Sequence, residues 1–568
     1  GGKPTSLSPT VIDGVLREEW GYDGLVITDA LNMKGVSEFA PIGALEIEAF
    51  KAGNDILLFP MDVPKAAAQL VQAFKDGRLD EAELDRRVDR ILQAKWQTRA
   101  VLDWELAQEG NMATTLAALH PAQERVNTAL TIKFALQAPT LLPAGTAEFP
   151  IKNLTQDFTH VTFGDGASAS EVKEYLDRYV EMDHVTITSS SSLPDVLPDA
   201  WIVSFHQNVK NPWKRYKLTA SDRATIAALV ATGKPLYVLH FANPYGLLTY
   251  PDLGDKSRVL VLYENDATTQ MIAPQMLFGA RGVHGTLPVD LGADLPAGSG
   301  VHTAPIERLS YGLPFEVGLS EGPFQSIDST MLYAIAKGAT PGGQILVARK
   351  GTVVYQKSFG AHTYGGRAVD WKDLYDIASV TKITATLPGM MQWYEKQPLL
   401  LGTTLGNHTD RLAGSNKEHL VIEDVLAHQS GLAAWIPYYL KTIQNDSVKA
   451  YWYSSHPQPG YSDVGGGLWI RETVRDTMFS MLAESDLKSK EYRYSDLGYY
   501  LFQEMLEERF NEPLDQWARN TFYGPLGAKR LTYTPLKHGF SLDEIVPTEE
   551  DGYWRNTTVH GTVHDMGA

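Results

Sequence analysis

Apolar residues come in two rhythms along this chain, and the places where the rhythm changes divide it. Up to about residue 105, short unbroken apolar runs alternate with stretches that repeat every three to four positions. Ser8-Pro9 predicts a helix start, because a serine oxygen can cap free N–H groups and proline suits the first turn. Val11, Leu16 and Trp20 give that helix one apolar face. Gly21-Tyr22-Asp23-Gly24 breaks it, and Leu25-Val26-Ile27 predicts a short buried strand ending at Thr28-Asp29. A second helix around 44–52 stops at Gly53, and 55–59 is another apolar strand. Helices over 64–76 and 80–97 follow, separated by Gly77. Strands that are apolar at every position and alternate with helices predict a parallel sheet covered on both faces.

From about 120 to 317 the same grammar continues. Strands are predicted at His160–Phe163, His184–Thr188, Trp201–Phe205, Leu236–Phe241 and Val259–Tyr263. Helices are predicted at Ser170–Val180, Ser221–Thr232 and Thr268–Phe278, which makes a doubly wound pattern. Leu291–Tyr311, rich in Gly, Pro, Ser and Ala, reads as a linker or a strap across domains. After about 322 the order changes. A helix (Ile327–Lys337) leads through Pro341-Gly342-Gly343 into strand Gln344–Ala348, and Arg349-Lys350-Gly351 turns it into strand Thr352–Phe359. That is an antiparallel hairpin followed by a mostly helical stretch. The expected domains are therefore 1–105, 120–317 and 325–568.

Composition narrows the function classes. The chain has 568 residues, too many for one compact core. A net charge of −18 and the lack of any basic run argue against a nucleic-acid partner, whose affinity comes from clustered Lys and Arg. The absence of cysteine removes disulfides, thiol catalysis and Cys-ligated zinc. No stretch reaches about 18 consecutive apolar residues, so no transmembrane segment is expected, and the first residues lack the form of a signal peptide. His160, His184, His206, His240 and His284 are scattered without metal-ligand spacing, so structural roles are expected for all five. Gly164-Asp165-Gly166 is a glycine cluster after a strand. It could cradle an anion, although a plain turn is the favoured reading. No metal or other cofactor is called for.

Asp29 is the first chemical candidate. It stands where a predicted strand stops, and in parallel α/β barrels that rim carries the reactive groups; the alternative is a plain helix cap. Its surroundings decide more. Leu7-Ser8-Pro9, then Leu16-Arg17-Glu18-Glu19-Trp20-Gly21-Tyr22-Asp23-Gly24, Leu25-Val26-Ile27-Thr28-Asp29-Ala30-Leu31-Asn32-Met33 and Ala52-Gly53-Asn54-Asp55-Ile56-Leu57-Leu58 closely resemble family 3 β-N-acetylglucosaminidases. The resemblance implies that 1–105 is the C-terminal part of a (β/α)8 barrel, that 120–317 is an α/β sandwich domain, and that Asp29 is the nucleophile of a retaining mechanism. Such a carboxylate traps the oxocarbenium-like centre as a glycosyl intermediate while a second group protonates the leaving oxygen. In that branch a His–Asp pair on an earlier barrel loop supplies the proton. No segment here matches that loop, so it is expected upstream of residue 1.

The second candidate is Ile377-Ala378-Ser379-Val380-Thr381-Lys382, a Ser-x-x-Lys pattern followed by Ile383, Leu387 and Met391 at helical spacing. On a helix, positions i and i+3 share a face, so the Ser379 hydroxyl can meet the Lys382 amine, and a desolvated lysine can take a serine proton. Leu426-Ala427-His428-Gln429-Ser430-Gly431-Leu432 and Tyr494-Ser495-Asp496-Leu497-Gly498-Tyr499 follow. Together with the opening hairpin they resemble class C β-lactamase and penicillin-binding-protein-like serine hydrolases over 325–568. The resemblance implies a partial β-lactamase-like α+β domain in which Ser379 is acylated, Lys382 activates it and Tyr494 is the general base. His428 is expected to be structural.

Asp496, on the substrate side, replaces the amide found in β-lactamases. A carboxylate cannot donate to a substrate carbonyl, and its charge should raise the pKa of Lys382. Val559-His560-Gly561-Thr562-Val563-His564-Asp565 resembles the approach to the family's third motif, which is expected beyond residue 568.

The expected whole is thus a multidomain α/β and α+β hydrolase from a bacterial envelope, periplasmic or lipid-anchored in its parent. It would act on peptidoglycan-derived sugars or muropeptides, with each centre incomplete in this chain. Left open are another family 3 sugar preference with a generic esterase, a serine half that only binds wall peptides, and the oligomeric state.

Overall fold

The computed structural model describes residues 2–97, 127–164, 169–187, 193–207, 217–444, 447–553 and 557–562. They fall in two compact units, one within 1–130 and one within 131–568.

The first unit is built from helices α1 (Thr10–Glu19), α2 (Ala44–Lys51), α3 (Val63–Lys75) and α4 (Glu81–Gln97). Leu7, Leu31, Leu45 and Ala49 form one small core, and Ile47, Phe50, Ala73 and Leu79 form another. The two expected strands pair in parallel, but only through the bridge Ile27↔Ile56, with Thr28 N–H donating to the Ile56 carbonyl. They are also less buried than their sequence suggests. Val26 is covered, whereas Ile27 is 52% and Phe59 66% exposed. The physical reason is that an apolar run records what a strand can bury, while its neighbours decide which faces are covered; only one face of this pair is packed.

One carboxylate holds that pair together. Asp55, with no exposed side chain, takes Arg17 Nη2 at 2.6 Å and Arg90 Nη1 at 2.5 Å. Its Oδ2 also accepts the Val26 N–H at 2.8 Å. The fragment Asn54-Asp55 therefore stitches the second strand to the first, and Asn54 Nδ2 adds hydrogen bonds to the Ser6 and Ala49 carbonyls.

In the second unit, strands β1 (Thr140–Leu141), β2 (Phe158–Gly164), β3 (Asp183–Val185), β4 (Ala200–His206), β5 (Leu236–Phe241) and β6 (Ser257–Val261) form one sheet in the order β1-β6-β5-β4-β2-β3. All neighbours are parallel except β1 with β6. Helices α5 (Ser170–Asp177), α6 (Ala220–Ala231) and α7 (Ala267–Leu277) connect them. Ile202, Leu239 and Leu260 pack with Leu176 and Met276 on one face, while Val203, Val238 and Val261 pack with Ile226 and Leu229 on the other. Apolar residues at successive strand positions are what a sheet covered on both faces requires. Residues 165–168, which include the rest of the glycine cluster after Gly164, lie outside the described residues.

Ser310–Tyr311 (β7) then adds in parallel to β9 (Thr352–Gly360), which pairs antiparallel with β8 (Gly342–Arg349). Lys350 and Gly351 both take positive φ, 50° and 74°, as a tight hairpin turn needs. Helix α8 (Gly322–Ala336) precedes the hairpin. A helical layer follows, cored by Met390, Trp393, Ile422, Val425, Leu501, Phe502 and Trp517 among others.

Candidate functional site

Ser379 sits where the chain passes from the segment 371–376 into a helix. Leu374 is bridged to Ile545, and Ala378 N–H donates to Asp376 Oδ1 at 2.8 Å. Ala378 takes φ 43°, a left-handed conformation costly for a residue with a Cβ. Ser379, the next residue, is exposed. A tight turn over Ala378–Val380, a wide one over Lys382–Thr386 and a regular helix α9 (Leu387–Lys396) continue the chain. Widened turns recur at functional sites because they re-aim side chains.

The outcome is contact between the two predicted groups. Lys382 Nζ lies 2.9 Å from Ser379 Oγ, and the same ammonium meets Asp496 Oδ1 at 2.6 Å as an ion pair. It also lies 5.4 Å from the centre of the Tyr494 ring and 5.6 Å from that of Tyr499. Burial works against the charge on Lys382. Hydrogen bonds with Asp496 and Tyr494, and their charges, outweigh burial and hold the amine above its ordinary value. It therefore stands as an ammonium that donates to the serine oxygen. Ser379, Lys382, Tyr494 and Asp496 form one cluster.

The loop carrying Tyr494 and Asp496 leads into helix α10 (Leu497–Phe510). Gly498 allows that helix to close on Val425, since a Cβ there would lie 2.2 Å from Val425 Cγ1. The approach brings His428 against the loop. Its Nδ1 accepts the Ser495 N–H at 3.1 Å, and its carbonyl accepts the Arg493 N–H at 2.8 Å. Sequence spacing gave no sign of the Ala378 bend or of Tyr499 beside the lysine.

Volume and chemistry part company here. Ser379 and Lys382 line a small pocket of about 80 Å³ with Tyr499, Tyr500, Gln503 and Tyr533. A cavity of about 930 Å³ adjoins it through Thr381, Tyr500, Gln503 and Tyr533, yet neither Ser379 nor Lys382 lines it. The reactive geometry, not the larger space, marks the centre. Gly561 and Thr562 reach that cavity, His560 Nε2 lies 2.8 Å from the Ile545 carbonyl, and 563–568 fall outside the described residues.

In the first unit, Asp29 lies two residues past the Ile27↔Ile56 bridge and is exposed. Its Oδ1 accepts the Ala30 N–H at 2.7 Å. The carboxylate is thus exposed between two cross-strand hydrogen bonds, Thr28 N–H to Ile56 O and Leu31 N–H to Leu58 O. In the second unit's sheet the histidines have polar partners. His160 joins Ser204 at 2.7 Å and His184 at 2.9 Å, and His184 meets Asp177 at 2.9 Å. His206 contacts Asn265, and His240 contacts Tyr250. Among the described residues no group of three or more His, Cys, Asp or Glu could hold a metal ion. No described helix is long and apolar enough to cross a membrane.

Residues 327–568 match the family described as beta-lactamase, and residues 1–94 match the glycosyl hydrolase family 3 N terminal domain. A Salmonella typhimurium protein named as a candidate D-alanyl-D-alanine carboxypeptidase is 25% identical over 289 residues, 46% of this chain and 61% of its own length. Its counterpart in Escherichia coli O157:H7 is 24% identical over 295 residues, 47% of this chain and 62% of its own. The chain thus spans less than two thirds of these curated relatives. Among solved structures, a beta-glucoside phosphorylase is 20% identical, covering 51% of this chain and 54% of its own at TM-score 0.41. A family 3 beta-N-acetylglucosaminidase from Paenibacillus is 24% identical, with coverages of 51% and 55% and TM-score 0.36. One chain thus carries a segment matching the glycosyl hydrolase family 3 N terminal domain, followed by a region matching the beta-lactamase family.

Proposed function

We propose that the protein is a two-centre cell-wall hydrolase whose serine centre works through an acyl-enzyme. Ser379 Oγ attacks the carbonyl of an ester or amide, and its proton passes to Tyr494. Lys382, held above its ordinary value by Asp496 and Tyr494, stays charged at neutral pH and holds the serine oxygen. Tyr494 then gives the proton to the leaving group, and water releases the acyl group by the same route in reverse. Asp496 keeps Lys382 charged and presents an acceptor to the substrate, where β-lactamases present an amide. The observation that carries this reading is the single ammonium placed 2.9 Å from the serine oxygen and 2.6 Å from a carboxylate. The names of the curated relatives favour a D-alanyl-D-alanine stem end as the bond cut. The domain limits 1–105, 120–317 and 325–568 belong to the same proposal.

In the first unit the proposed role of Asp29 is the nucleophile of a retaining β-N-acetylglucosaminidase acting on peptidoglycan fragments in the bacterial envelope. Its exposure and its place two residues beyond the Ile27↔Ile56 bridge support this.

Labelling with a fluorophosphonate and with a fluorescent penicillin, beside release of D-alanine from a wall pentapeptide, tests the serine centre. An adduct that vanishes in Ser379→Ala is expected. No adduct in the unaltered protein would favour a module that binds wall peptides without cutting them. Hydrolysis of an aryl β-N-acetylglucosaminide, lost in Asp29→Ala, tests the other centre in the full-length protein.

A further inference from the structure

We infer that His428 is a positioning residue of the serine centre, and that it sets the centre's acid limit by fixing the Tyr494–Asp496 loop only while its imidazole is neutral. The inference rests on the acyl-enzyme reading above.

His428 takes φ 57°, a left-handed conformation uncommon outside glycine and, among other residues, favoured by Asn, Asp and His. The unusual backbone lets both ends of the residue grip one loop. Its carbonyl accepts from Arg493 N–H, and its Nδ1 accepts from Ser495 N–H, on either side of Tyr494. The ring lies 4.6 Å from the Tyr494 ring and 5.5 Å from that of Tyr499, with Tyr492 edge-on at 6.3 Å. Tyr494 and the loop that ends in Asp496 are therefore held by one imidazole.

An Nδ1 that accepts a backbone N–H carries no proton, so the neutral ring bears its proton on Nε2. Protonation would turn that acceptor into a donor facing Ser495 N–H and would break the grip. The charged groups facing the ring are Lys382, which disfavours a second cation, and Asp496, which favours it. Tyr494, Tyr499 and Tyr492 complete its titratable surroundings. Burial first, and the Lys382 charge second, hold the imidazole below its ordinary value and keep it neutral at physiological pH. Below that value the loop is freed, Asp496 and Tyr494 leave their places around Lys382, and acylation slows.

The test compares His428→Asn with His428→Gln, using the rate of Ser379 modification by a fluorophosphonate across pH. Asn places its amide oxygen near the position of Nδ1 and tolerates positive φ, whereas Gln places it near Nε2. Expected is a fall of about tenfold or more in His428→Gln, with His428→Asn within about threefold of the unaltered protein. The unaltered protein should lose rate as pH falls below 6.5, while His428→Asn should lack that step. Thermal unfolding of both variants identifies loss of fold. Should Gln prove unfolded, the pH step in Asn alone decides. Equal rates in folded Gln and unaltered protein, or an unchanged pH step in Asn, overturn the inference and leave the acyl-enzyme reading standing. An unaltered protein that never labels removes both.

Discussion

Replacing Asp55 with alanine should loosen the strand pair that leads to Asp29. The side chain is fully buried and has three partners, at 2.6, 2.5 and 2.8 Å. Removing one member of a buried ion pair costs about 3–5 kcal/mol, because the partner charge stays behind uncompensated. Here the lower end applies. Arg17 keeps its hydrogen bonds to the Tyr22 and Gly24 carbonyls, and Arg90, 28% exposed, can turn to water. A loss of about 3 kcal/mol would consume a large part of the roughly 5–15 kcal/mol typical of a domain.

Hydrogen exchange on the intact chain is the assay, since it reports opening of the 22–31 and 54–60 segments separately from the rest. Protection there should fall about a hundredfold in Asp55→Ala and less in Asp55→Asn, which keeps an acceptor. Breaking the half-exposed Lys3–Glu48 pair, also at 2.8 Å, should change protection by less than about threefold. Equal effects of Asp55→Ala and Glu48→Gln would refute the assignment of that strand pair to one buried carboxylate.

Three further outcomes follow from the second unit. Asp496→Asn removes the partner that keeps Lys382 above its ordinary value. The alkaline limb of Ser379 labelling should then move to lower pH, and an unmoved limb would deny the ammonium its role. Asp177→Asn weakens hydrogen bonds to His184 and Lys372, at 2.9 and 2.6 Å, at a cost of about 1–3 kcal/mol seen as a lowered melting temperature. The Asp177 carboxyl opposes its own burial through those partners and sits below its ordinary value, so its stabilisation should be present at neutral pH and fade as pH falls below 3.8. Gly498→Ala forces a methyl onto Val425 at 2.2 Å and should cost about 1–3 kcal/mol, with slower labelling because the Tyr494 loop shifts.

Much of this was legible before any coordinates. Strands β4 and β5 are apolar at most positions, and only a sheet buried on both faces makes sense of that pattern. Ser379 and Lys382 meet because three residues of helix bring two side chains to one face, a fact of geometry that any sequence carries. What stayed hidden depends on register and backbone sign. The Ser204–His160–His184–Asp177 chain exists because β2 pairs with β3 so that His160 faces His184, and with β4 so that Ser204 comes within reach of the ring. Spacing along one strand says nothing of which neighbour lies beside it. The positive φ of Ala378 and His428 was equally silent, since neither is a glycine that would announce it. Ile27 read as buried because its neighbours are apolar, yet its exposure is decided by residues that do not cover it.

The parallel pairing of Ser310–Tyr311 with Thr352–Val353 bears on how the protein is to be dissected. An expression design that started at residue 325 would strip this sheet of a border strand and leave a row of N–H and C=O groups bare, a template for self-association. Lys372 and Arg530, whose carboxylate partners Asp177 and Glu181 lie in the discarded part, would lose them as well. Anyone wishing to study the serine half alone must therefore carry the α/β sandwich with it.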